Sequence, residues 1–447
     1  MNWKFLAVGG LCIAAIVASD GEISAQTLEV TPSRAVMDET VTIRASGLQA
    51  GERVSICAEL TDGDGHKWAS EAEFIADAQG IVDVSKQAPA KGSYNGVSAM
   101  GLVWAMRPAE KHVENYQPPH DLGAQAIEFQ LRRHGQAVAS AHVDQLQIGE
   151  GVRRIEVKGK LHGVLFLPEG EGKHPGVLVL GGSEGGLPRA RAAWLASHGY
   201  AALALAYFHY EDLPAELEAI PLEYFGTALS WIMQRPEILS DRIAVMGTSR
   251  GGELALQLGS MYPQIAAVVA YVPANFRYPS CCGNTGVPYA WTWKGEPLAY
   301  VPRRAFRRGS AVLQRGNEIA EMQAAIAVER THGPILLISG QDDGVWNSSE
   351  MTEAVVARLK GAHFAQKVER LDYPHAGHRA ARPEIVPTWH GMIQHPVAGT
   401  MMNLGGTPKG DAESSIDGIE KVLAFLRESL PVQAEATSSP SASGNPK

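Results

Sequence analysis

The sequence predicts an α/β protein in two parts: an antiparallel, immunoglobulin-like β-sandwich, followed by a larger and mostly parallel sheet with crossover helices. Three observations carry this. From Leu28 to about Gln147, short runs of alternating polarity are separated by Gly, Asp, Asn and Pro, with no sustained helical period. After Gly149, continuous apolar runs alternate with helical stretches, the pattern of strands buried on both faces. At 447 residues with 45% hydrophobic side chains, the chain can fill two cores.

The first residues are read separately. Lys4 precedes an apolar run from Phe5 to Ala18 and then a polar stretch, so residues 1–25 read as a secretory signal peptide cut after Ala25. The expected destination is outside the cytoplasm, periplasmic or secreted. The run falls short of the roughly 20 residues that cross a bilayer, and Leu11 stands before Cys12 where a lipoprotein signal has a small residue, so no stable membrane anchor is expected. Cleavage removes Cys12 and leaves Cys57, Cys281 and Cys282, too few for a disulfide framework. Cys57 reads as a core residue of "RVSICAEL". Adjacent residues meet disulfide geometry poorly, so a vicinal Cys281–Cys282 bridge is the less favoured arrangement. No metal-ligand spacing stands out among the cysteines, and no cofactor is expected.

Residues 26–148 form the sandwich part. "TVTIRASGL", "RVSICAEL", "AIEFQLRRHG" and "AVASAHVDQLQI" alternate as half-buried strands do, and "DGDGHK" and "RRHGQ" read as hairpin turns. "DGDG" lacks the later ligands and closing Glu of a calcium loop, which leaves the turn.

Residues 149–430 form the second part. "RRIEVKGKLHGVLFLP" reads as an opening hairpin. Strands follow at "GVLVLGG", "YAALALAY", "DRIAVMGTS", "IAAVVAYV", "GPILLISG" and "QKVERLDYP". Helices are expected at "ARAAWLASHG", "PLEYFGTALSWIMQRP", "GELALQLGSMY", "IAEMQAAIAV", "SEMTEAVVARLK" and "SIDGIEKVLAFLRESL". An irregular insertion from about Pro273 to Gly316 carries Arg303, Arg304, Arg307, Arg308 and Arg315, either a solvated face or a contact for an anionic substrate. Residues 431–447, rich in Ser, Pro and Ala, read as a disordered tail. A net charge of −9 supplies no field for nucleic acid, so the expected partner is a small molecule.

Two stretches fit G-x-S-x-G, the sharp strand-to-helix turn that exposes a serine nucleophile. Ser249 follows "RIAVM", stands between Gly247 and Gly251, and leads straight into a helix. Ser183 also follows a strand, but Leu187-Pro188 delays its helix and the surrounding glycines would fix the hydroxyl poorly. Chain order supports Ser249. An α/β-hydrolase places Ser, acid and His at successive strand ends, and Asp342–Asp343 and His375–His378 follow the strands "GPILLISG" and "KVERLDYP".

Asp343 is favoured over Asp342 as the fourth residue of G-x-x-D, and His378 over His375 because Gly377 permits a sharp loop. His378 would take the Ser249 proton and Asp343 would orient the imidazole. The oxyanion hole is assigned to the backbone N–H of Arg250, after the serine, and of Ser183 in "GGSEGG", with Gly182 or Glu184 close behind. On that reading the Ser183 hydroxyl is incidental. His375 and His378 lack a third ligand for a metal site.

"HPGVLVLGGSEGG", "YAALALAYFHYEDLP", "GTSRGGELAL", "LLISGQDDGVWNSSE" and "YPHAGH", with the amino-terminal "DGHKWASEAEFIADAQGIVDV" and "GSYNGVSAMGLVWAMRP", resemble the acyl-CoA thioesterase and bile acid-CoA:amino acid N-acyltransferase family. The resemblance implies an α/β-hydrolase domain behind a β-sandwich, with nucleophile, acid and base at Ser249, Asp343 and His378. It also implies a division by nucleophile: cysteine in the amino-acid-transferring branch, serine in the thioester-hydrolysing branch. The expectation is a serine hydrolase of acyl thioesters. An exported carboxylesterase or dienelactone-hydrolase-like enzyme and, less favoured, an N-acyltransferase are the alternatives.

Overall fold

The computed structural model describes residues 25–431, apart from 284–285, 306–313 and 315–316. The signal-peptide and tail readings, and Arg307, Arg308 and Arg315, lie outside the described residues.

The amino-terminal part is two facing sheets. The smaller holds Thr27–Thr31, Thr42–Ser46 and Val82–Asp83. The larger runs in the order Arg34–Val36, Gln136–Leu146, Gln125–Arg133, Arg53–Thr61, Lys67–Ile75, Lys91–Gly92. Inward residues alternate as the sequence implies: Trp68, Ala72 and Phe74 of one strand are fully buried, with Lys67, Ala69 and Glu71 outside. The "RRHGQ" turn forms because His134 and Gly135 both take positive φ, 47° and 80°, which matches the twist of a two-residue hairpin. At "DGDGHK", buried Asp62 accepts the N–H groups of Asp64 and His66 and the Trp68 indole N–H, so its carboxylate ties the turn rather than binding an ion. One expectation needs correction: the sandwich is not wholly antiparallel, because Arg34–Val36 pairs parallel with Gln136–Leu146.

The second part is an eight-stranded sheet in the order Arg153–Val157, His162–Leu167, Ala201–Ala206, His174–Leu180, Ile238–Thr248, Ile265–Tyr271, Ile335–Gly340, Val368–Tyr373. The first two strands are the antiparallel hairpin, and the six from Ala201–Ala206 onward are mutually parallel. Their uniform apolarity, complete burial of "AALALA" and "ILLISG" for example, follows from cover on both faces. One continuous core joins the sandwich to one face of this sheet, and a second core fills the other face.

Three further differences have local causes. The last helix spans Pro408–Ser429 and starts seven residues before the predicted Ser415. Pro408 sits in its first turn and Thr407 Oγ1 caps it by accepting the Gly410 N–H at 3.0 Å, while the added turns bury Gly, Asp and Ser, which periodicity does not register. The insertion is partly regular: Trp291–Trp293 pairs with Ile220–Pro221 and Glu296–Pro297. Cys281 and Cys282 are joined as a disulfide, contrary to expectation. The chain reverses there, with Cys282 at φ 83° and the Cys281 N–H bonded to Leu217 O.

Candidate active site

Ser249 ends the fifth strand of the sheet order with φ 57° and ψ −118°, a conformation that non-glycine residues rarely hold. The surrounding chain enforces it. A Cβ on Gly247 would lie 1.9 Å from Gly251 O, and one on Gly251 would lie 2.2 Å from Gly181 O. The two glycines of the motif are therefore required by backbone crowding, and the Ser249 N–H is tied to Tyr271 O at 2.8 Å. The helix Arg250–Met261 begins at the next residue.

His378 Nε2 stands 2.9 Å from Ser249 Oγ, and His378 Nδ1 stands 2.8 Å and 3.0 Å from the two Asp343 oxygens. Asp343 is almost wholly buried, with side-chain exposure of 1% against 10% for His378. Its Oδ1 also accepts the N–H of Val345 at 2.9 Å and of Trp346 at 3.3 Å, and the Trp346 ring meets the imidazole edge-on. The alternatives pair elsewhere: His375 Nδ1 faces Asp342 Oδ2 at 3.4 Å, and both are exposed.

The sharp His378 loop is built as Gly377 implies, since a Cβ there would meet Gly405 O at 2.4 Å. What the sequence did not announce is the clamp on it. Asp411 Oδ1 of the last helix accepts the Gly377 N–H at 2.8 Å, and Leu404 O accepts the His378 N–H at 2.8 Å.

The loop Gly181–Gly186 follows the strand His174–Leu180 and lies against the serine; a Cβ on Gly182 would sit 3.2 Å from Ser249 Cβ. Glu184 Oε1 accepts the Gly182 N–H at 2.8 Å. Among the described residues the Ser183 N–H meets no acceptor, and the Arg250 N–H, at the first position of its helix, has no carbonyl four residues back. The Ser183 hydroxyl is not idle: it lies 2.8 Å from His395 Nε2, which is 3.8 Å from Cys282 Sγ. Burial holds the His395 imidazole below the usual histidine range. Cys281, Cys282 and His395 thus gather three groups of metal-ligand type that their spacing in sequence concealed, with both sulfurs tied in the disulfide. The Arg250 side chain turns away into a buried ion pair with Glu253 at 3.0 Å and donates to Pro279 O.

A cavity of about 460 Å³ opens on Ser249 and His378. Met37 of the sandwich, Leu187, Trp194, Ile393 and Met402 supply apolar lining. The last two belong to a hairpin, Ile393–Gln394 with Met401–Met402. Four arginines also line it, Arg189, Arg191, Arg379 and Arg382, against two carboxylates, Glu184 and Glu384. None is among the five singled out in the insertion. Arg303 of that set is tied to Ser280 O at 2.7 Å.

The strand order, the elbow at Ser249 and the placement of the acid and histidine at later strand ends define the domain as an α/β-hydrolase. The chain belongs to the acyl-CoA thioesterase and bile acid-CoA:amino acid N-acyltransferase (BAAT) family. The family profile "BAAT / Acyl-CoA thioester hydrolase C terminal" matches residues 220–431, and "Acyl-CoA thioester hydrolase/BAAT N-terminal region" matches 38–159. Acyl-coenzyme A thioesterase 6 of Mus musculus is 31% identical over 91% of this chain and 97% of its own length. The peroxisomal succinyl-coenzyme A thioesterase of Mus musculus and acyl-coenzyme A thioesterase 1 of Homo sapiens are each 30% identical with the same coverage. Among solved structures, a putative dienelactone hydrolase of Klebsiella pneumoniae aligns over 62% of this chain and 98% of its own at 15% identity, with a TM-score of 0.39.

Proposed function

We propose that the protein hydrolyses acyl thioesters, with acyl-CoA as the substrate class, through an acyl-enzyme on Ser249. The observation that carries this is the Ser249–His378–Asp343 chain of contacts at 2.9 and 2.8 Å, with Ser249 and His378 lining the cavity. His378 Nε2 takes the hydroxyl proton as Ser249 Oγ bonds to the acyl carbon. The C–S bond then breaks, and the imidazolium returns its proton to the departing thiolate. Water attacks the acyl-enzyme with His378 again accepting the proton, and the acid leaves as Ser249 is restored. Buried Asp343 fixes the Nδ1–H tautomer and stabilises the imidazolium. The N–H groups of Arg250 and Ser183, neither of which meets an acceptor among the described residues, are the assigned oxyanion donors, worth roughly 3 kcal/mol each by comparison with other hydrolases.

Ser249→Ala is expected to lower kcat for acyl-CoA hydrolysis at least ~1,000-fold with an unchanged circular dichroism spectrum. Retained turnover would sink the assignment. A panel of acyl-CoA and p-nitrophenyl esters, with glycine and taurine offered as acceptors, tests the thioester reading against the ester-hydrolase and N-acyltransferase alternatives. Export is likewise proposed from Lys4 and the Phe5–Ala18 run; finding the intact amino terminus in the cytoplasmic fraction would overturn it.

A further inference from the structure

Nothing in the proposed reaction uses the Cys281–Cys282 disulfide, yet it abuts the loop that carries an assigned oxyanion donor. Cys282 Sγ lies 3.8 Å from Ser183 O and 3.8 Å from His395 Nε2. Ser183 and His395 line the cavity together with Ser249 and His378. Both bridged cysteines are partly exposed, so a small reagent can reach them. Cys57 differs: it is buried and unpaired, and burial pushes its thiol up to about 11.

The hydrogen bonds of His395 fix what its ring can offer. Its Nδ1 accepts the N–H groups of Val397 at 3.2 Å and Ala398 at 3.0 Å, so the proton of the neutral ring sits on Nε2. That Nε2–H donates to Ser183 Oγ at 2.8 Å, with the Cys282 sulfur as its other neighbour. A metal ion on Nε2 would need the ring proton on Nδ1, facing two N–H groups, so these three residues are poorly arranged as a metal site. The same donor suits a thiolate, because an N–H beside sulfur stabilises the charge released when a disulfide opens.

The two sulfurs have different freedom. Cys281 packs against the second core, and its N–H is held by Leu217 O. Cys282 carries the contacts to Ser183 and His395. Two thiols do not fit the space of one bonded pair, so opening the bridge displaces a sulfur, and the less anchored one is Cys282. Once reduced it offers an S–H to Ser183 O or, as thiolate, an acceptor to His395 Nε2–H, and the disulfide has neither. Ser183 O and the Ser183 N–H flank one Cα, so a change at the carbonyl reaches the assigned oxyanion donor.

We propose that Cys281–Cys282 is a thiol–disulfide exchange site whose reagent is a dithiol, and that opening it lowers turnover at Ser249. One thiolate of the dithiol attacks a sulfur of the pair, the S–S bond breaks, and the neighbouring sulfur leaves as a thiolate that takes up a proton. The second thiol of the reagent then resolves the mixed disulfide. The dithiol is oxidised to its own disulfide, and its two electrons and two protons end on the cysteines. The effect on turnover rests on the mechanism proposed for Ser249, whereas the exchange does not.

The test uses the full chain with Cys12→Ser, so that no thiol outside the described residues reports. It is assayed oxidised, after reduction by dithiothreitol with the excess removed under argon, and after reoxidation. Thiol titration of the folded chain is expected to find the pair only in the reduced sample, since Cys57 is buried. Reduction is expected to lower kcat for acyl-CoA about fivefold with KM within about twofold, and reoxidation to restore it. Iodoacetamide is expected to label reduced Cys282 at least ~3-fold faster than Cys281, and equal rates would refute the role given to His395. The double variant Cys281→Ser with Cys282→Ser is expected to keep one kcat through all three treatments. A bridge that resists dithiothreitol in the folded chain overturns the proposal, as does an equal kcat in both states or a loss that the double variant shares. Should the double variant melt early, the reversible cycle on the native pair still decides. Turnover of p-nitrophenyl esters but of no thioester would refute the proposed function instead, and the oxidised-to-reduced ratio is then read on those esters.

Discussion

Two serines in near-identical sequence settings reach different surroundings through the backbone around them. Ser249 is held at φ 57° by glycines whose missing Cβ atoms make room for the carbonyls of Gly251 and Gly181. Gly247→Ala therefore forces a backbone clash, and a stability loss of about 3 kcal/mol or more is expected in urea unfolding, against no loss for Gly361→Ala, an exposed helical glycine with nothing within 4 Å of the added Cβ. Ser183 contributes its N–H on the proposed mechanism, so Ser183→Ala is expected to keep activity within about tenfold of wild type. A larger fall would mean that the hydroxyl contact to His395 at 2.8 Å positions the loop. The residues readable from sequence were those announced by a local backbone need: Gly247, Gly251 and Gly377 mark sharp turns, and Ser249, Asp343 and His378 sit at strand ends. Arg191, Arg379, Arg382 and His395 carry no such mark. They are brought to the lining of one cavity by segments up to 204 residues apart in the chain.

At the level of elements, strands are legible in the sequence because burial on both faces leaves unbroken apolar runs, and turns are legible where a positive φ or an Asp acceptor is required. The last helix extends beyond its apolar periodicity because its first turns bury polar side chains. Asp411, Ser414 and Thr407 hold the His378 loop through Gly377, Ala381 and His375. This makes the helix start a positioning device for the imidazole. Asp411→Asn, which keeps the size of the acceptor and loses its charge, is expected to lower kcat more than it raises KM. The ratio kcat/KM is expected to fall roughly tenfold, and a change confined to KM would argue against the link. The parallel strand Arg34–Val36 had no such clue, since its partner lies about 110 residues away.

Across the whole molecule, sandwich and hydrolase sheet share one core, and a polar contact pins them together. Asp38 of the sandwich accepts the Trp194 indole N–H at 2.9 Å and lies 2.7 Å from His198 Nε2, both on the helix Arg189–Ser197 and its end. Asp38→Ala leaves a buried donor without an acceptor, and a loss of about 1–3 kcal/mol is expected in denaturant unfolding. Acidity acts at this scale as well. Burial holds His174 and His395 below the usual histidine range in the folded chain, whereas the unfolded chain protonates them at about 6.5. Between those limits the unfolded state binds more protons, so stability falls as pH drops through about 6.5. Melting temperatures measured at pH 7.5 and 5.5 should show the decline well before the lowered carboxylates, such as Asp83 and Glu329, begin to titrate.

The strip from Ile393 to Gly405 is both a wall of the cavity and the anchor of the His378 and Asp343 loops: Leu404 O receives the His378 N–H, and Gly405 bridges Asp343. A wall that swung outward to admit a large substrate would carry the base and the acid out of register with it. If Ser249 reacts as proposed, admission and catalysis are thereby mechanically interlocked. On the proposed mechanism a substrate threads into a site already assembled, and any loosening of this strip to widen the entrance would be felt first as a misaligned imidazole rather than as a broader diet.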